Sequence, residues 1–133
     1  MVDRGAGVVR KLGIRPGHEV ALVGAPPGWP MAPLPDGVHM VRRRPARPVD
    51  VVVAFFRRYG DLEKSLSPLS GAITSDGALW LAWPRRAGGH TSDITDNAVR
   101  GAALPLGLVD VKVAALDEDW SALKFVWRKV LRP

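Results

Sequence analysis

Gly77-Ala78-Leu79-Trp80-Leu81-Ala82-Trp83-Pro84-Arg85-Arg86 is the stretch whose reading decides the fold. It opens on a turn glycine, runs six apolar residues, stops at a proline and ends in two arginines. An unbroken apolar run of that length, bounded by turn residues, reads as a strand buried on both faces. Trp80 and Trp83 point to opposite faces of it, and Trp80 is expected under a helix. The arginines fall just past the carboxyl end, where open α/β sheets bind their ligands.

Upstream, Val49–Phe55 is a second apolar strand, nearly all β-branched after Asp50. Between the two, residues 57 to about 73 read as a helix with Leu62, Leu66 and Leu69 inward, which Pro68 bends or ends. Asp76-Gly77 is a turn into the decisive strand. Further upstream, Glu19–Val23 and Val38–Arg42 are short strands separated by a proline-rich stretch. Asp3 to Leu12 forms a short helix with Val8, Val9 and Leu12 on one face, or else a docked tail. Residues 43–49 join the second strand to the third. Fully extended they reach about 27 Å, against a strand rise of about 17 Å, so a parallel connection is taut and the second strand's direction stays open.

Downstream, Thr95 or Asp93 caps a helix to about Leu106, with Val99, Ala102, Ala103 and Leu106 on one face. Gly107 ends it. Leu108–Leu116 and Trp120–Val130 form a hairpin around Asp117-Glu118-Asp119. Apolar faces coincide when Val113 lies opposite Leu123 and Val111 opposite Phe125, which implies a three-residue loop. Lys112 then faces Lys124; water screens them, Asp110 bridges them, or they hold an anion.

The chain has 133 residues, enough for one domain with a real core. It carries 19 Lys plus Arg against 13 Asp plus Glu, a formal charge of +6, which favours anionic partners. Fourteen of the basic residues are Arg, so a GC-rich genome is a second source of the imbalance. The absence of Cys excludes disulfides, thiolate metal sites and a cysteine nucleophile. The amino-terminal residues do not read as a signal peptide, and no apolar run approaches a membrane span. The expected location is the cytoplasm, with no membrane partner.

Strands alternating with helices and closed by a hairpin imply a mostly parallel sheet with an antiparallel end. The arrangement looks like a cut-down class I methyltransferase (Rossmann-like) domain. Pro16–Gly24 resembles that fold's first strand, Val49–Val53 its fourth, Asp76–Leu81 its fifth, and the hairpin its sixth and seventh. The departures oppose S-adenosylmethionine: the cofactor loop reads Gly24-Ala25-Pro26-Pro27-Gly28, and Arg42-Arg43-Arg44 stand where the fold places a ribose-binding carboxylate. A closer resemblance is to a bacterial family known only as a domain of unknown function, number 3052. It is carried by Ala25-Pro26-Pro27-Gly28, Leu79–Arg86, Asp93-Ile94-Thr95-Asp96, Arg100, Leu104–Val113, Asp117–Lys124 and Arg128-Lys129. Ala82, Arg85-Arg86 and Ala122 depart from its usual pattern. It implies no catalytic residue.

The expectation is one small Rossmann-like α/β domain over 1–133, with five or six mostly parallel strands, helices on both faces and a C-terminal antiparallel hairpin. Arg42–Arg44, Arg57–Arg58 and Arg85–Arg86 follow three successive strands. Parallel strands would gather them on one rim as an anion site of forked guanidinium donors; otherwise they are separate solvated patches. Asp93, Trp120, Ser121 and Lys124 are expected to line a pocket by the hairpin turn, unless Trp120 is core. His18, His39 and His90 are scattered, and His90-x-x-Asp93 is too little for a metal. Arg42, Arg44, Arg57, Arg85, Arg86, Asp93, Trp120 and Lys124 are therefore the candidate ligand-binding residues, with no catalytic residue, metal or cofactor. The function expected is a non-catalytic module binding an anionic small molecule or protein. The rivals are a methyltransferase-like enzyme using S-adenosylmethionine, and nucleic-acid binding with Trp29 or Trp83 stacking on bases.

Overall fold

The decisive stretch is the carboxyl half of a twelve-residue strand, β4 (Ile73–Pro84), in which every residue from Gly77 on is buried. In the computed structural model, which describes residues 4–29, 31 and 33–129, β4 sits inside a six-stranded sheet. Before it come α1 (Arg4–Leu12), β1 (Glu19–Val23), β2 (His39–Val41), β3 (Val49–Phe55) and α2 (Tyr59–Ser70). After it come a 3₁₀ turn at Arg86–Gly88, α3 (Asp96–Ala103), a second 3₁₀ turn at Leu104–Leu106, β5 (Leu108–Ala115) and β6 (Trp120–Trp127). The ends expected at Asp3 and Val130 fall outside the described residues.

The strand order is β2-β1-β3-β4-β6-β5. β2, β1, β3 and β4 run parallel, which settles the direction of the second strand. β6 is antiparallel to both β4 and β5. Alternation along β4 separates two cores. Leu79, Leu81 and Trp83 face one that α2 and α3 cover with Leu62, Leu66, Leu69, Val99 and Ala103. Trp80 and Ala82 face the other, which α1 covers with Val8, Val9 and Leu12. Trp80 is fully buried and its indole N–H donates to Leu12 O at 3.2 Å, so a helix does cover it. Among the described residues between 24 and 38 there is no helix; Trp29 and Met31 bury themselves against this second core instead. The result is a three-layer α/β domain with a mostly parallel sheet.

Several boundaries differ from the sequence reading. α2 continues two residues past Pro68, because a proline in the last turn removes only one helical N–H bond. β4 begins at Ile73, so Asp76-Gly77 is no turn between elements; it lies in an irregular stretch where the pairing slips between Val49 and Val51. α3 stops at Ala103, and Leu106 is exposed. In the hairpin, Val113 does pair with Leu123, Lys112 with Lys124, and Leu116 N–H bonds Trp120 O around a three-residue loop. Val111 does not pair with Phe125. A bulge between Asp110 and Lys112 sets Asp110 there instead. Its carboxylate then faces α3 and takes the Arg100 Nε–H at 2.8 Å, so it bridges no lysines. Val111 and Val113, expected on a buried face, are 53% and 60% exposed on the sheet's edge strand.

Candidate anion-binding rim

The carboxyl ends of β2, β1, β3 and β4 form one rim. Chain direction reverses its lateral travel between β1 and β3, since β2 lies to one side of β1 and β3 to the other. That switch point is where sheets of this kind open a ligand crevice. Here the crevice is occupied by the chain's own rings. Trp29, from the loop after β1, meets Phe55 edge-on with centroids 4.8 Å apart. Phe55 meets Trp120 at 5.0 Å, and the Arg57 guanidinium lies 5.1 Å over the Trp120 ring. The Trp29 indole N–H donates to Asp117 Oδ2 at 3.1 Å, tying this loop to the hairpin. Gly24 turns the chain out of β1 at a φ of 71°, and a Cβ there would stand 2.9 Å from Phe55 O. The glycine therefore admits the end of β3.

The arginine pairs share the rim but line different hollows. Arg57 lines one of about 200 Å³ with Pro26, Pro84, His90, Asp119 and Trp120. Arg85 and Arg86 line another of about 330 Å³ on the α2/α3 face. Arg43 lies over neither; the connector after β2 turns back across β1, and Arg43 and Arg47 line a third hollow with Glu19 and Val49. Arg42 and Arg44 are exposed. So the expected single pocket of three arginine clusters is absent among the described residues. Lateral spacing explains this: β1 separates β2 from β3, and the return of the connector carries Arg43 away from the rim. Among the described residues, none of the arginines at 42–44, 57–58 and 85–86 forms an ion pair.

The second expected group is dispersed too. The Asp93 carboxylate accepts the Tyr59 N–H at 2.9 Å, capping α2 from a distance, while Thr95 Oγ1 caps α3 through Ala98 N–H at 3.2 Å. Trp120 is 5% exposed and belongs to the α1-side core. Lys124 lies four residues down β6, with Nζ 6.0 Å from the Trp80 ring centre, beside Gly13 and Arg15 at the other end of the sheet. Desolvation raises the Tyr59 hydroxyl above its ordinary range, with help from nearby Glu63.

Sequence reading missed the part played by His90. Its Nε2 lies 2.9 Å from Asp119 Oδ1, and Asp119 O accepts the Arg85 N–H at 2.8 Å. The loop after β4 thus clasps the hairpin tip, and this fixes the backbone that carries Arg85 and Arg86. A contact 29 residues apart leaves no local signal. Among the described residues no group of three or more metal-ligating side chains forms, and no helix is long and apolar enough to cross a membrane.

No curated protein matches the chain. Its fold is similar to that of a TehB-like SAM-dependent methyltransferase from Corynebacterium glutamicum, at 13% identity and a TM-score of 0.60, over 93% of this chain and 88% of that one. A SAM-dependent methyltransferase from Aquifex aeolicus is similar at 12% identity and 0.60, over 91% and 88%. The N-methyltransferase NodS from Bradyrhizobium japonicum is similar at 14% and 0.60, over 92% and 84%. These likenesses bear on the fold. In sequence, residues 36–129 match the family described as protein of unknown function (DUF3052), and the chain belongs to that family.

Proposed function

We propose that this protein is a non-catalytic binding module for an anionic ligand, held at the arginine-bearing end of the sheet. The observation that carries the reading is the parallel course of β2, β1, β3 and β4. It brings exposed and half-exposed arginines without ion pairs to the end of the sheet where such folds bind ligands. Arg85 and Arg86 are the core of the site. Their fork-shaped donors match phosphate and carboxylate oxygens.

The methyltransferase likeness supplies a rival, but the residues at the switch point do not fit S-adenosylmethionine. Pro26 and Pro27 offer no N–H, no helix begins among the described residues of the loop after β1, and Arg42 follows β2 where a carboxylate would hold ribose hydroxyls. The space over β1 and β3 is filled by Trp29, Phe55 and Trp120. The hollow with the His90–Asp119 pair is lined by no hydroxyl or thiol for that pair to activate. Base stacking loses its support as well, since Trp29 and Trp83 are 5% and 7% exposed.

Thermal denaturation with phosphate, pyrophosphate, nucleotides and S-adenosylmethionine tests the reading. A phosphorylated ligand at a hundredfold its Kd should add about 2.7 kcal/mol, and Arg85→Ala should remove that gain. S-adenosylmethionine should leave the melting temperature unchanged. A shift with S-adenosylmethionine, or anion binding indifferent to Arg85→Ala, would overturn it.

A further inference from the structure

The hollow beside Arg85 and Arg86 has an apolar floor as well as a charged lip. Three neighbouring strands build the floor: Trp83 of β4 pairs with Ser121 of β6, and Val113 of β5 pairs with Leu123 one pleat along. All lie on the face that α2 and α3 cover elsewhere, where Leu81 and Leu123 are fully buried. Val113 is on that face too, yet 60% exposed. It is an apolar side chain presented to water on the floor of a concave site of about 330 Å³.

The polar groups of the lip suit an anion. Thr95 Oγ1 accepts the Ala98 N–H, which leaves its own proton for a ligand oxygen. Asp96 is the one carboxylate on the lining, and both its oxygens are engaged within α3. Oδ1 accepts from Asn97 N–H at 2.9 Å and Oδ2 from Arg100 Nη1 at 3.2 Å. Its charge is thus partly offset by Arg100. Arg85 and Arg86 bring two adjacent forks, more donors than one carboxylate can accept and well matched to the oxygens of a phosphate dianion.

We infer that this hollow binds a small phosphate monoester with a short apolar body, the phosphate on Arg85 and Arg86 and the body lying over Trp83 and Val113. The inference rests on the anion reading above and specifies its ligand. The hollow holds roughly ten water-sized groups at about 30 Å³ each, which leaves room for a body of about four to six carbons beside the head.

Calorimetric titration of the full chain with inorganic, ethyl, butyl and hexyl phosphate tests it. Affinity should rise roughly fourfold per methylene until the hollow is full, then level off. Val113→Ser, at an exposed position, should weaken butyl phosphate about fivefold and leave inorganic phosphate within a factor of two. Arg85→Ala should weaken both. Inorganic phosphate bound through Arg85, with no gain along the series, would overturn this inference and leave the anion site standing. Binding by no member of the series would overturn this inference, and the anion reading with it if pyrophosphate and nucleotides also fail to bind; a gain with chain length that ignores Arg85→Ala would overturn this inference too.

Discussion

Gly88 lies against the hairpin tip, where an added Cβ would run into the carbonyl oxygen of Glu118. The contact is backbone on backbone, so no rotamer change can relieve it. Gly88→Ala should therefore cost about 1–3 kcal/mol by overpacking and lower the melting temperature by several degrees. A calorimetric scan matching the parent would mean the loop is not pressed on the hairpin. The same residue sits between Arg86 and His90, so the substitution should also loosen the clasp made by Arg85 N–H and the His90 ring. Nothing near Gly88 in the sequence announces this, because Glu118 is thirty residues away. Trp29 is similar: its neighbours are prolines and glycines, and only the folded chain sets it on Phe55.

At the scale of elements, the bulge in β5 ties helix to sheet. It turns Asp110 toward α3, and the hydrogen bond from Arg100 holds its carboxyl below the usual carboxylate range while Arg100 is raised. A lowered folded value means that the unfolded chain binds the proton more readily. The stability this pair contributes is present above the ordinary carboxylate pKa of about 4, and is lost as pH falls through the depressed value. Urea midpoints for the parent and Asp110→Asn should differ most near neutral pH and converge toward pH 2–3; a constant gap would exclude the pair as the cause. The alternation of Val109, Val111 and Val113 suggested an unbroken register because a buried face would demand one. An edge strand makes no such demand, so the Arg100–Asp110 contact could decide the register instead.

At the scale of the molecule, buried apolar runs made the parallel sheet legible. Leu79–Trp83 and Val51–Ala54 are closed in on both faces, and only the centre of such a sheet asks for that composition. The arginines after β3 and β4 were legible for the same reason. The separation of the arginine pairs into distinct hollows was not, because it follows from lateral strand order and from a connector without regular structure. The order has one further result. The last strand in chain order among the described residues, β6, is an inner strand of the sheet: it enters between β4 and β5. Until it is synthesised, the outer edge of β4, with Leu79 and Leu81, has no partner, and such an edge recruits other chains. A chain stopped at Ala115 should sediment in a pelleting assay where the full chain stays in the supernatant. A growing polypeptide thus carries a sticky flank from the moment β4 emerges until β6 folds in beside it.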